Sequence, residues 1–164
     1  MVEIKTERLV VKKIRNSDKE RLVTLLGDFE VSKTLSRVPY PYTITDAEKW
    51  LEIVRNQEFN LNVFLNDNLI GGVLLRLDED ESYELGYWLG ADYWGKGYAT
   101  EAVRGLLDYA ISKLQSPKIK ATVDKENTTS AKVLEKMGFR CMGEGEIFSL
   151  SRQKTIPCLK LVLE

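Results

Sequence analysis

The sequence predicts an α/β fold of the α+β type, with a central mixed, mostly antiparallel sheet of about seven strands flanked by helices. Three observations lead there. Short alternating or β-branched runs recur along the 164 residues, separated by turn residues. The middle runs follow one another through tight turns, as antiparallel strands do, whereas the later ones are separated by helical patterns. No repeat, low-complexity run or Pro/Gly-rich linker interrupts the order, so residues 1–164 read as one domain, a length that suits a single core.

Each element has a local cause. Residues 8–14 alternate and are β-branched, which reads as a strand. Asn16-Ser17-Asp18 can cap a helix running through Leu26, with Gly27 as its stop. Residues 30–35 read as a second short helical piece. Pro39-Tyr40-Pro41-Tyr42 is extended or turning, because proline disfavours helix in the residue before it. Thr45-Asp46-Ala47-Glu48 fits a capping box opening a helix to about Gln57. Residues 61–65 and 69–77 are strands joined by Asn66-Asp67-Asn68, a hairpin turn by composition. After a turn at 78–81, residues 82–89 form the next strand. Between 97 and 114, Ala99, Ala102, Val103, Leu106, Leu107, Ala110 and Ile111 recur at the spacing of one helical face. Residues 118–123 are a strand, 128–137 a helix stopped by Gly138, and 141–150 with 155–163 a final strand pair.

Composition removes whole classes of function. Lys plus Arg is 24 against 25 for Asp plus Glu, which gives no reason to propose a nucleic-acid surface. No apolar run approaches the roughly 18 residues of a membrane span, and the first ten residues lack the apolar core of a signal peptide, so a cytoplasmic location is expected. The chain has no histidine, and its two cysteines, Cys141 and Cys158, form no CxxC. That excludes histidine-based triads and argues against a zinc site. The cysteines fall in strands that pair, and in a cytosolic compartment they are expected as reduced, packed thiols. Any general acid or base must come from Glu, Asp, Tyr, Lys, Cys, Ser or water.

The most informative stretch runs from Tyr83 to Ala102. It reads as a strand, a loop with Gly95 and Gly97 around Lys96, and the start of the long helix. A helix start presents unpaired N–H groups and the positive end of its dipole, and glycines let an anion approach closely. A phosphate-loop spacing with GK[ST] is absent, and the third glycine of a dinucleotide fingerprint is replaced by Thr100. These absences count against a nucleotide-binding domain.

Trp94-Gly95-Lys96-Gly97-Tyr98-Ala99 resembles the pyrophosphate loop of the GNAT superfamily of acyl-CoA-dependent N-acetyltransferases, of form Arg/Gln-x-x-Gly-x-Gly/Ala, with Trp94 where Arg or Gln is more usual. The likeness is closer to the RimJ/RimL-like branch, whose pattern runs G-Y-x-L, then W-G-x-G-Y-A-T-E-A. Here stand Gly86-Tyr87-Trp88-Leu89 and then residues 94–102. Asn127-Thr128-Thr129-Ser130 followed by Val133-Leu134-Glu135-Lys136-Met137-Gly138-Phe139 resembles that branch's N-x-x-S-x-x-V/L-L-E-K-x-G-F, and Thr6-Glu7-Arg8-Leu9-Val10-Val11 is a weaker third match. The matches occur in family order over nearly the whole chain.

The resemblance implies a GNAT-like domain whose fourth and fifth strands, 82–89 and 118–123, splay apart to admit the acyl-CoA arm. It implies transfer of an acetyl group from acetyl-CoA to a primary amine, such as a protein N-terminus (ribosomal proteins are the namesakes) or a small amine or amino acid. It places the cofactor on the backbone of Gly95, Lys96, Gly97, Tyr98, Ala99 and Thr100, along Tyr87, Trp88 and Leu89, and against Asn127, which is also a favoured helix cap. Many relatives use a tyrosine in the later helix as the acid; this helix has none, and the branch's serine falls at Ser130. Glu84, which alternates with Tyr83 and Leu85 and so points to the opposite face, is the candidate base, alone or through a water. Glu101, in the first helical turn, suits dipole complementation and bracing of the loop. Tyr40 or Tyr42, with Trp50 after them, lies where the family builds its acceptor pocket. The final hairpin is a candidate homodimer edge. A non-catalytic acyl-CoA-binding or sensing module on the same scaffold is the alternative, and it predicts binding without turnover.

Overall fold

The computed structural model describes residues 2–163. Its elements in order are β1 (Glu3–Lys5), β2 (Val10–Lys12), α1 (Lys19–Leu26), α2 (Phe29–Ser32), α3 (Ile44–Val54), β3 (Asn60–Leu65), β4 (Asn68–Leu77), β5 (Tyr83–Leu89), α4 (Tyr98–Lys113), β6 (Ile119–Asp124), α5 (Thr128–Lys136), β7 (Phe139–Ser149) and β8 (Lys154–Leu163). The strands form one eight-stranded sheet in the order β1-β2-β3-β4-β5-β6-β8-β7. Every neighbouring pair is antiparallel except β5 with β6, which α4 connects as a parallel crossover.

Strand alternation sends side chains to both faces, and each face has its own helices. On one, α4 buries Ala102, Val103, Leu106, Leu107 and Ala110 against Val63, Val73, Leu85, Leu89 and Ala121. Each large aliphatic side chain removed from water there contributes roughly 1.5–3 kcal/mol. Ile111, on the edge of the apolar stripe, is 49% exposed, so the helix buries a narrower face than its spacing predicts. On the other face, Leu22, Leu26, Val31 and Ala47 from α1–α3 pack on Phe64 and Leu69.

The structure corrects several boundaries. The sheet has eight strands rather than about seven, because Glu3–Lys5 folds back on Val10–Lys12 through a turn closed by Thr6 N–H donating to the Leu9 carbonyl at 2.9 Å. Residues 16–18 form a 3-10 turn leading into α1; Asp18 is the N-cap of α1, as expected, but makes no side-chain cap bond, its carboxylate instead accepting the Arg15 N–H at 2.9 Å. The short second helix starts at Phe29, capped by Asp28. The capping box of α3 is Thr43 with Asp46, two residues before the expected Thr45, and the helix ends at Val54. Asn66 and Asp67 both adopt positive φ (49° and 65°), the two-residue hairpin turn whose twist matches the strands. Strand β7 begins at Phe139, inside the segment that ends the resemblance, and is bulged between Cys141 and Gly143. Both cysteines are unbridged: Cys141 lies opposite Leu161 on β8, three residues from Cys158, which places the two thiols on opposite faces.

The seam between β5 and β6 positions the candidate site. β5 and β6 share only three rungs, Tyr83–Ile119, Glu84–Lys120 and Leu85–Ala121. Beyond them, residues 86–89 pair only with β4 and residues 122–124 only with β8. The strands splay into a V, and these are the fifth and sixth strands once β1 is counted.

Candidate active site

The V exposes a strand edge. Tyr83 donates its N–H across to the Lys118 carbonyl at 2.7 Å, and the strand's period of two therefore turns the backbone groups of Leu85, Tyr87 and Leu89 to the same edge. Past Leu85 that edge faces the gap. The Leu89 carbonyl is taken by the Trp94 indole N–H at 2.9 Å; the Tyr87 groups and the Leu89 N–H have no strand partner among the described residues. Trp88 lies differently: its backbone faces β4, where it sits opposite Gly72, and its indole packs with the α1–α3 cluster. Of the three residues expected along the gap, Tyr87 and Leu89 are on its edge and Trp88 is not.

The gap runs directly into the glycine loop. After a 3-10 turn at Ala91–Tyr93, Gly95 and Gly97 adopt φ of 73° and 82°, a region that β-carbons disfavour. A Cβ on Gly95 would meet nothing within 4 Å, so that position is glycine for conformation alone; one on Gly97 would lie 3.3 Å from the Arg8 guanidinium. Gly97 is the N-cap of α4 and brings no side-chain cap. The N–H groups of Tyr98, Ala99 and Thr100 are thus left open at the positive end of a 16-residue helix. Lys96 is exposed and turns back, its ammonium donating to the Asp92 carbonyl at 3.1 Å.

The loop is braced from behind by the weakest of the three sequence matches. The Glu101 carboxylate accepts hydrogen bonds from the Thr6 hydroxyl, from the Arg8 N–H at 2.8 Å and from Arg8 Nε at 2.7 Å. Arg8 Nη1 donates to the Lys96 carbonyl at 2.9 Å, and its guanidinium stands 4.4 Å over the Tyr98 ring. A shallow groove of about 730 Å³ runs along this back side, between β1 and the outer face of α4, away from the V. Burial acts to raise the Glu101 pKa, but the Thr6 hydroxyl, the Arg8 N–H and the Arg8 guanidinium together outweigh it and hold it below the ordinary glutamate value. A carboxyl with a lowered folded pKa stabilises fully above its unfolded value, about 4.3, and loses that contribution as pH falls through the folded value. Urea unfolding is therefore expected to show Glu101→Gln less stable than the parent by a constant margin above about pH 5, a margin that closes in acid. Parallel curves at every pH would overturn the brace.

On the far arm of the V, Asn127 is the N-cap of α5 and accepts the Ser130 N–H at 3.1 Å. Its amide NH₂ has no protein partner among the described residues. Tyr87 reaches across from β5 to Ser130: its hydroxyl lies 2.5 Å from Ser130 Oγ and 3.0 Å from the Ser130 carbonyl. Burial pushes the Tyr87 phenol up, and the bond to Ser130 offsets part of that. This contact joins residues 43 apart and was not visible in the motifs; the alternation of Tyr87 with Leu85 and Leu89, facing α4 and α5, was the available signal. Glu84 lies on the opposite face, where the Arg76 guanidinium holds it at 3.0 Å. Tyr42 is buried with α1–α3, whereas Tyr40 is 46% exposed and meets Phe29 edge to face at 4.9 Å. Among the described residues no cluster of His, Cys, Asp and Glu could hold a metal, and no helix is long and apolar enough to cross a membrane.

The family model for the acetyltransferase (GNAT) domain matches residues 8–140, most of the chain. The chain belongs to the GNAT acetyltransferase family. This GNAT chain is 32% identical over 147 residues to the uncharacterized N-acetyltransferase p20 of Bacillus licheniformis, spanning 84% of this chain and 82% of that protein. A GNAT-family acetyltransferase of Bacillus anthracis superposes with a TM-score of 0.85 at 26% identity, over 99% of this chain and 98% of that one. RimJ of Mycobacterium smegmatis, solved with CoA-disulfide, shares the fold at 19% identity, with a TM-score of 0.80 over 99% of this chain and 87% of its own. As a GNAT member the protein is an acyltransferase.

Proposed function

We infer that this GNAT enzyme moves an acetyl group from acetyl-CoA directly to a primary amine, either the N-terminus of a protein, as in RimJ/RimL-type enzymes, or a small amine or amino acid. The observation that carries this reading is the continuity of an unpaired β5 edge with an uncapped α4 start. The residues fit the group. The open N–H groups of Tyr98, Ala99 and Thr100, made accessible by Gly95 and Gly97, suit a pyrophosphate. The backbone of Tyr87 and Leu89 suits an amide-bearing arm laid beside it as an added strand, and the free Asn127 amide can donate to the same arm.

When bound, acetyl-CoA supplies an already activated thioester, so no covalent enzyme intermediate is needed. A gap-edge N–H facing the carbonyl would stabilise the developing oxyanion, a donor worth roughly 3 kcal/mol in comparable sites. Ser130 serves the departing sulfur. Glu84 serves the amine from the opposite face. The Arg76 guanidinium, 3.0 Å away, fixes the direction of the carboxylate, which can take the amine's proton itself or through a water.

The test is free-thiol release from acetyl-CoA against a panel of ribosomal-protein N-terminal peptides, spermidine and free amino acids. Turnover on at least one amine is expected. CoA binding with no turnover on any of them would replace the catalytic reading with a sensing one, and no CoA binding would overturn the assignment of residues 95–100.

A further inference from the structure

The Tyr87–Ser130 contact bridges the two arms of the V, from β5 to the first turn of α5, on the face packed by α4 and α5. Its proton inventory is restrictive. Tyr87 and Ser130 each carry one hydroxyl proton, and an oxygen–oxygen approach of 2.5 Å needs one of them between the two atoms. If Tyr87 donates to the Ser130 carbonyl, the serine proton must point at Tyr87, leaving Ser130 nothing to offer the gap. If Tyr87 donates to Ser130 Oγ, the serine proton is freed. The closer approach favours the second arrangement: the phenol oxygen lies 2.5 Å from Ser130 Oγ against 3.0 Å from the Ser130 carbonyl, to which it can also donate.

We propose that Tyr87 is a positioning residue for thiol departure, donating its phenol proton to Ser130 Oγ so that the serine hydroxyl is turned from its own helix toward the leaving sulfur. This rests on the acetyl-transfer reading above. Left alone, a serine in a first helical turn tends to bond its own backbone, and the phenol competes with that. The chain of two hydroxyls is cooperative: donation from Tyr87 makes the Ser130 O–H a stronger donor to a developing thiolate, and such charge-assisted bonds are the strong ones. No proton leaves the phenol in this scheme. As the amine nitrogen–acyl carbon bond is made the C–S bond breaks and its electron pair stays on sulfur; Ser130 hydrogen-bonds the thiolate, which then takes up, through water, the proton that the acylated nitrogen has released. A buried phenol with a raised pKa stays protonated throughout, which is what a fixed donor requires.

The experiment is a double-mutant cycle on an amine that the wild type acetylates. Tyr87→Phe is expected to lower kcat by about 10- to 30-fold while the KM for acetyl-CoA and the Kd for CoA stay within about threefold, since only the transition state gains from the bond. Ser130→Ala is expected to lose at least as much. The double variant is expected to match Ser130→Ala alone, because Tyr87 acts only through that hydroxyl. A purely structural Tyr87 would instead lower thermal stability and CoA binding together, and its effect would persist in the Ser130→Ala background; either result overturns the inference, as does an unchanged kcat in Tyr87→Phe. Absence of wild-type turnover on every amine would overturn the acetyl-transfer reading itself, and this inference with it.

Discussion

Alanine at position 71 is expected to destabilise the enzyme by about 3 kcal/mol, lowering its melting temperature by about 9 °C. Gly71 sits on β4 opposite Leu89 of β5. A Cβ built there would lie 2.3 Å from the Trp88 carbonyl oxygen, 2.7 Å from Leu89 Cδ2 and 3.1 Å from Leu89 Cα. Two of those three atoms are backbone, so no rotamer change relieves the clash, and β5 itself must move. Gly86→Ala is the matched control. Its Cβ would meet only the Leu74 side chain, at 3.6 Å and beyond, an ordinary contact, and its melting temperature is expected within about 3 °C of the parent. Scanning calorimetry of the two variants decides the matter; equal shifts would mean that β4 and β5 leave room for a side chain at Gly71.

Gly97→Val is expected to weaken CoA binding by on the order of 100-fold, close to 2.8 kcal/mol. The left-handed conformation costs an ordinary residue about 1–2 kcal/mol and a β-branched one more. At φ of 82° valine would also press into Arg8, whose guanidinium holds the Lys96 carbonyl. The open N–H groups of residues 98–100 would rotate with the cap. Lys96→Ala is expected to change affinity by less than about threefold, because an exposed ammonium engaged with a carbonyl adds little at long range. Titration calorimetry with CoA separates these outcomes. A Gly97→Val variant that binds like the parent would remove the helix start from the binding site.

What could be read in advance, and what could not, follows the range of the interactions. The glycine loop, the α4 stripe and the Asn66-Asp67 turn are set by residues close in sequence, and their positions were legible. The segment 43–48 contains two overlapping boxes, Thr43 with Asp46 and Thr45 with Glu48, and local chemistry cannot choose between them; the fold places the cap at Thr43. Strand β1 has only three residues and exists because β2 pairs with it, so no propensity in Glu3-Ile4-Lys5 announces it. At the site, the helix start was visible, but its brace joins Arg8 to Glu101 across 93 residues, and the Tyr87–Ser130 bridge depends on two arms of a V meeting through α4. The turning of the Trp88 backbone away from the gap follows from a strand phase that long-range backbone bonds reveal, Tyr83 to Lys118 on one side and Gly90 to Ile70 on the other.

The three parallel rungs between β5 and β6 also have a mechanical meaning. Among the described residues they are the only rungs between two antiparallel leaves, β1 to β5 on one side and β6 to β8 on the other, and the leaves part beside the candidate site. On the acetyl-transfer reading, a substrate enters at this short seam, where both strands run on beyond their three shared rungs. A long ligand that hydrogen-bonds the β5 edge while its other groups touch the β6–α5 arm adds the stitches the chain itself omits. In such a molecule, occupancy would reinforce the sheet: three rungs, the α4 core and the Tyr87–Ser130 contact already join the leaves, and a bound arm would add hydrogen bonds along the open edge.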